Sequence, residues 1–246
     1  MRKSNIISPI TKDTIELVEI YKFDVEELKR ESYEKMLYVG EIIEEKAKQI
    51  LRDFNINLKT RNFYAYILRE IMRNVLEHSE SKTYNLACYK NKNEFAFKVI
   101  DKGITIKKSL DRNPRFNIYD DKSAVTLAIK PGVTRSYKRD PHRDDVWQNS
   151  GFGLYMVSSL MKKLGYFELK SGSGRIVVMK GKENDFMSIN KIIGTEVLII
   201  IDKRIEINIP KTLKELSTKG SELAKNSNFS TYADIKTASQ ASTLIE

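Results

Sequence analysis

The sequence predicts an α/β protein of the α+β kind, a two-layer sandwich with a mixed, largely antiparallel sheet and helices on one face. Three observations predict it. Residues 60–78 and 153–164 carry apolar side chains at helical spacing. Residues 83–90 and 94–101 alternate like a half-buried hairpin about the turn-prone Asn91-Lys92-Asn93. Short apolar runs at 166–171, 175–180 and 195–201 supply further strands.

Along the chain, a Pro-containing start leads into a strand over Thr14 to Phe23. Residues 24–54 read as an amphipathic helical lead-in, one bent helix or two, with Leu28, Tyr33, Met36, Leu37, Ile42, Ile43, Ala47 and Leu51 near a 3.6-residue spacing. Thr60 is a reasonable N-cap for the next helix, which runs to about His78 with Tyr64, Ile67, Leu68, Ile71, Met72, Val75 and Leu76 as its buried stripe. Asp101 then ends a strand. Residues 102–150 lack apolar periodicity except around Ser123 to Ile129, and a loop this long in a compact domain is usually functional. A lid at about 105–150 is the expectation. A helix opens at Gly153, turns Leu154, Val157, Leu160, Met161 and Leu164 inward, and stops at Gly165. Ile205 to Ile209 could continue the sheet, and Pro210 ends the β region. A weak helix over Leu213 to Ala224 precedes a Ser/Thr/Ala-rich stretch that reads as a tail or docking segment. The chain thus divides into an N-terminal region (1–54), a main domain (55–209) and a C-terminal helix and polar tail (210–246).

Composition narrows the function classes. Hydrophobic residues at 41% and charged residues at 31% describe an ordinary globular protein. No apolar run approaches the roughly 20 residues that cross a bilayer, and the first residues hold no secretory pattern. Cys88 is single and reads as a small core residue on a strand, and two histidines make no Cys/His metal cluster, so a reducing cytoplasm is expected. Forty-three Lys and Arg against 33 Asp and Glu give a net charge of +10, which favours polyanionic partners. No basic run is interleaved with aromatics, so nucleic acid is not specifically indicated.

Several short motifs bear chemistry. Glu70 and Asn74, four apart on a helix, share a face with Glu77. Taken singly, such a pair is a solvated helix face. Asp101-Lys102-Gly103 leaves a strand rich in Phe95, Phe97, Val99 and Ile100, placing a carboxylate at the core's edge; alone, it is a turn. Asn149-Ser150-Gly151-Phe152-Gly153-Leu154 opens an amphipathic helix whose unpaired N–H groups and dipole suit an anion. Gly194-Thr195 enters a late apolar strand.

Order and spacing make the set specific. Helix with Glu-x-x-x-Asn, hairpin ending in Asp-x-Gly, long lid, Gly-x-Gly-Leu opening a helix, and Gly-Thr entering a strand together resemble the GHKL superfamily, whose domain has the Bergerat ATP-binding fold. The likeness spans about residues 55–202, and phrases such as RNVLEHSES, IDKGITIKKSL, AIKPGVTRS and SGFGLYMVSSLMKKLG look like the stand-alone bacterial ATP-binding proteins of that superfamily. It implies that Asp101 bonds the adenine amino group, that Gly103 lets the backbone pass the base, and that Thr195 supports the adenine side. It further implies that Asn74 coordinates magnesium held by the phosphates, that Ser150, Gly151, Phe152, Gly153 and Leu154 form the phosphate turn, and that Glu70 is the general base. Thr105 departs from the family's Asp-x-Gly-x-Gly; if that position needs a positive φ, a β-branched residue opposes it.

Between Lys107 and Arg143 the lid holds ten Lys and Arg, of which Arg135, Lys138, Arg139 and Arg143 could reach phosphates. His142 and Trp147 read as lid packing or surface residues, and His78 as a helix-end residue satisfied by the C-terminal carbonyls. The resemblance implies ATP and magnesium as ligands, and leaves three uses of ATP: a Mg-dependent ATPase or ATP-driven switch acting on a protein partner, an anti-sigma-type serine/threonine kinase, or a non-hydrolysing structural module. The first is the expectation. The 24–54 region could pack on the domain or form a homodimer.

Overall fold

A computed structural model of the chain describes residues 16–54, 56–136 and 151–227. Its first half runs β1 (Glu16–Asp24), α1 (Val25–Lys35), α2 (Val39–Ile50), α3 (Leu58–Asn74), β2 (Thr83–Lys90), β3 (Glu94–Asp101), α4 (Ile106–Leu110) and α5 (Asp121–Ala128). The second half runs α6 (Gly153–Leu164), β4 (Gly165–Ser171), β5 (Gly174–Met179), β6 (Asp185–Ser188), β7 (Thr195–Asp202) and α7 (Ile209–Lys225). The expectations for residues 1–15, for the polar stretch after Ser227, and for Lys138, Arg139, His142, Arg143, Trp147 and Ser150 fall outside the described residues.

The strands form one sheet in the order β1-β2-β3-β7-β4-β5-β6, and every pairing is antiparallel. This corrects the expected mixed sheet. β3 and β4 do run in the same direction, but β7 enters between them and is antiparallel to both. Successive strand residues face opposite sides. Phe95, Phe97 and Val99 of β3, Val197, Ile199 and Ile201 of β7, and Phe167 and Leu169 of β4 therefore share one face and join one core with buried residues from all seven helices. Among the described residues the opposite face holds only a smaller cluster, Ala96, Tyr166, Val177, Leu198 and Ile200, to which none of the described helices contributes. The architecture is α+β, with the described helices packing on one face.

Local chemistry sets the ends of these elements. The lead-in is two helices, α1 capped by the Asp24 carboxylate, which accepts from the N–H groups of Glu26 and Glu27. α3 starts two residues before Thr60, because the Asn57 side chain accepts from Thr60 N–H at 2.8 Å and caps the helix. It also ends earlier than expected, since Val75–Ser79 form a π-type turn. The hairpin of β2 and β3 has the predicted limits. Buried Cys88 packs within β2, and burial pushes its thiol up to about 12. β6 is too short and polar to announce itself, and pairing with β5 creates it. Ile205 and Ile207 pack on the core without forming a strand. Pro210 does not close a β region but lies in the first turn of α7, where its missing N–H costs nothing, behind the Asn208 cap.

α7 packs on α6. Gly220 lies against the rings of Tyr155 and Phe152, and Tyr155 Oη donates to the Leu216 carbonyl at 3.2 Å. Phe152 is fully buried, with its ring edge-on to Tyr155. No helix among the described residues is long and apolar enough to cross a membrane. A Cβ at Gly220 would overlap the Tyr155 ring, so Gly220→Ala is expected to cost about 1–3 kcal/mol. Thermal unfolding should show the midpoint several degrees below wild type.

Candidate functional site

Strand parity carries a row of polar groups to the end of the apolar face. In register, Asp101 of β3 lies beside Thr195 of β7, and Thr195 beside Ser171 of β4. Each sits two residues beyond an inward-facing apolar side chain, Val99, Val197 and Leu169 respectively, so all three point toward the helices where the core stops. Asp101 is 3% exposed and its Oδ1 accepts from Gly103 N–H at 2.8 Å. Burial pushes its carboxyl up to about 6, against the opposing effect of N–H donors from Gly103 and Thr195. Ser171 Oγ lies 2.9 Å from Thr195 Oγ1 and accepts from Ile106 N–H at 2.9 Å, tying α4 to the same row.

The chain leaves this row through Gly103, whose missing Cβ makes room for the Ser79 carbonyl, and Ile104 N–H donates to that carbonyl at 2.7 Å. Thr105 takes an ordinary φ of −71° and caps α4, its Oγ1 accepting from Lys108 N–H at 3.3 Å. No left-handed residue is needed there, so the departure at Thr105 does not strain the loop. Gly194, at φ +72°, is the position where a side chain would strike the Asp101 carbonyl.

α3 forms the opposite wall. It is buried on nearly every side from Phe63 to Arg73, more fully than a single stripe predicts, because α2 and α6 pack on it as well as the sheet. The charged groups in that buried stretch are accordingly paired. Arg69 donates to Glu70 Oε1 from Nη2 at 2.8 Å and from Nε at 3.2 Å, and Arg73 Nη2 donates to Glu77 Oε1 at 2.9 Å. Asn74 Nδ2 donates to the Glu70 carbonyl at 2.7 Å, which leaves its amide oxygen as the group it can offer a ligand. His78, on the π-type turn, lines the cleft, and burial lowers its pKa to about 4, so the imidazole is neutral at pH 7.

The mouth of α6 meets this wall. Its N-cap, Phe152, supplies no side-chain hydrogen bond to the first turn. A Cβ on Gly153 would lie 2.7 Å from Glu70 Oε2, so glycine permits the approach of the helix end to that carboxylate. Gly151, at φ +73°, packs on the Val133 carbonyl, and its own carbonyl accepts from Gly132 N–H at 3.1 Å. Thr134 is in turn held by Asn113, which is 3% exposed and donates to its carbonyl at 2.9 Å. The two flanks of residues 137–150 are therefore pinned together beside the cleft.

The cleft opens to solvent, with Val99, Ile104, Leu110, Val133, Leu169 and Val197 among its apolar walls. Glu70, Asn74, Asp101, Gly151, Phe152, Gly153, Leu154 and Thr195 all line it, whereas Gly103 does not. Of the basic lid candidates within the described residues, Arg135 lines it too, 3.5 Å from Glu80, a carboxylate also paired with Arg112. Sequence reasoning missed Arg69, Arg73, Asn113 and Ser171. The alternation Phe167, Leu169, Ser171 could have revealed the last. Among the described residues no group of three or more His, Cys, Asp or Glu could hold a metal ion. The chain matches no protein-family model and no curated protein.

The raised Asp101 pKa predicts a pH effect on stability. Folding favours the protonated carboxyl, so its stabilising contribution is full below pH 3.8 and is lost as pH rises through about 6. Asp101→Asn keeps an acceptor for both N–H donors without a charge. The variant is expected to match wild type near pH 4 and to exceed it by up to about 3 kcal/mol at pH 7. Unfolding measured across that range checks the crossover.

Proposed function

We propose that the cleft binds ATP with magnesium in the manner of a GHKL (Bergerat) domain, and that the protein is a Mg-dependent ATPase or ATP-driven switch acting on a protein partner. The observation that carries this reading is the buried Asp101 carboxylate on the floor of the same cleft whose far wall holds Asn74 and the uncapped N-terminus of α6. A buried carboxylate held by two backbone N–H groups is a fixed acceptor, suited to an exocyclic amino group, and the apolar walls beside it suit a planar base. Phosphates then fall toward Gly151, Phe152 and Gly153, where the N-terminal end of α6, without a side-chain cap, and its helix dipole favour negative charge.

The donor set fits magnesium held chiefly by phosphate. Such an ion typically takes only one or two protein ligands, and the Asn74 amide oxygen would be one. When bound, magnesium would neutralise phosphate charge as the terminal bond breaks. Glu70 presents Oε2 at the mouth of α6, where it could accept a proton from an attacking water. Thr195 and Ser171 would hold Asp101 and any bridging water in register.

A switch is favoured over a passive module because the segments flanking residues 137–150 are anchored at the cleft itself, through Gly132 to Gly151 and Asn113 to Thr134. A ligand against Gly151 therefore bears directly on the Gly132–Val133 backbone.

Calorimetric titration with ATP and magnesium, paired with phosphate release, tests the reading. Wild type is expected to bind and turn over. Asp101→Asn should lose binding, about tenfold or more, although it is the more stable fold at pH 7. Glu70→Ala should retain binding and lose turnover. Binding without phosphate release would move the assignment to a kinase or structural-nucleotide protein, and absence of binding would sink it.

A further inference from the structure

Glu70 does not stand alone in the cleft wall. Arg69, 2% exposed, grips its Oε1 with Nε and Nη2, while the remaining arm, Nη1, donates to Glu44 Oε2 on α2 at 2.7 Å. Lys48 Nζ holds the other oxygen of Glu44 at 2.7 Å. The guanidinium also lies 5.1 Å from the centroid of the buried Tyr66 ring. Burial works against the Arg69 charge, yet Glu70 and Glu44 together hold its pKa above the usual range. One planar fork thus spans two carboxylates on different helices, a geometry that a flexible ammonium cannot reproduce.

The consequence for Glu70 is directional. With Oε1 occupied by Arg69, the second oxygen is the one turned to Gly153 at the mouth of α6. Arg69 is itself oriented by Glu44, so the aim of Oε2 depends on where α2 sits. α2 is in turn tied to α1 by Lys46 to Glu31 and Lys35 to Glu45, each at 2.9 Å. A fold-stabilising ion pair would need no contact with a cleft carboxylate; this one ends on it.

We propose that Arg69 is a positioning residue for Glu70, and that Glu44 couples the N-terminal helix pair to turnover through it. The proposal rests on the reading of Glu70 as the general base of an ATP site. Aim, rather than nucleotide affinity, is what the relay controls, because neither Arg69 nor Glu44 lines the cleft.

The test uses the full chain with Glu44→Gln, which keeps the side-chain shape at a partly exposed position, and Arg69→Lys, which keeps the charge but loses the fork. Phosphate release, ATP affinity by calorimetry and thermal unfolding are measured on each. For Glu44→Gln we expect kcat to fall about tenfold while the ATP Kd stays within about twofold and the melting midpoint within about 4 °C. Arg69→Lys should show the same split, a lower kcat at nearly unchanged Kd. Unchanged kcat in Glu44→Gln, in a wild type that turns over, overturns the relay and leaves the ATPase reading standing. Loss of kcat and affinity together with a large drop in melting midpoint also overturns it, because that marks a general structural role. A wild type that binds ATP and releases no phosphate overturns both readings.

Discussion

The burial of α3 is the constraint on which the rest of the structure depends. A helix enclosed by a sheet and two other helices can carry Arg69, Glu70 and Arg73 only if each charge is met, since an isolated buried ion is strongly destabilising. Meeting them fixes neighbours. Glu44 must come from α2, Glu77 from the next turn of the same helix, and Gly153 must be small so that α6 can close on Glu70. The candidate site is therefore not appended to a finished core. Its wall is the most buried of the described helices.

The floor has a different origin. Three neighbouring antiparallel strands end their inward rows at the same level, and where apolar side chains stop, Asp101, Thr195 and Ser171 begin. The pleat aims them, and backbone N–H groups from Gly103 and Thr195 hold the carboxylate. A rigid floor and a charged wall face each other across one cleft. Behind the wall, α7 supports the glycine turn by burying Phe152 beneath Gly220.

Much of this was legible in the chain. The β2–β3 hairpin, α6 and the late apolar strands have strong periodicity, and nearly every site residue taken from motif order lies on the cleft. Elements whose cause is non-local were not legible. β6 exists because β5 offers it an edge, and Pro210 begins a helix because Asn208 caps it and the core receives Ile209 and Leu213. The π-type turn at Val75–Ser79 interrupts a helix whose pattern continues without a break, and the Ser79 carbonyl it presents is bonded by Ile104. Thr105 looked like a misfit only while a positive φ was assumed; as a helix cap it is well chosen.

By itself the sequence determined the β2–β3 hairpin, the helices α3 and α6 and the late apolar strands, which of their faces are apolar, and that acid, amide, glycines and threonine recur in one order. Those features are local, set by side-chain spacing and turn chemistry over a few residues. The tertiary structure alone decided that β7 would enter between β3 and β4, that Ser171 would join Asp101 and Thr195, and that Arg69 would link Glu44 to Glu70. Each of these depends on groups 24 or more positions apart meeting at hydrogen-bond distance. Packing geometry sets such meetings, and no local pattern encodes them.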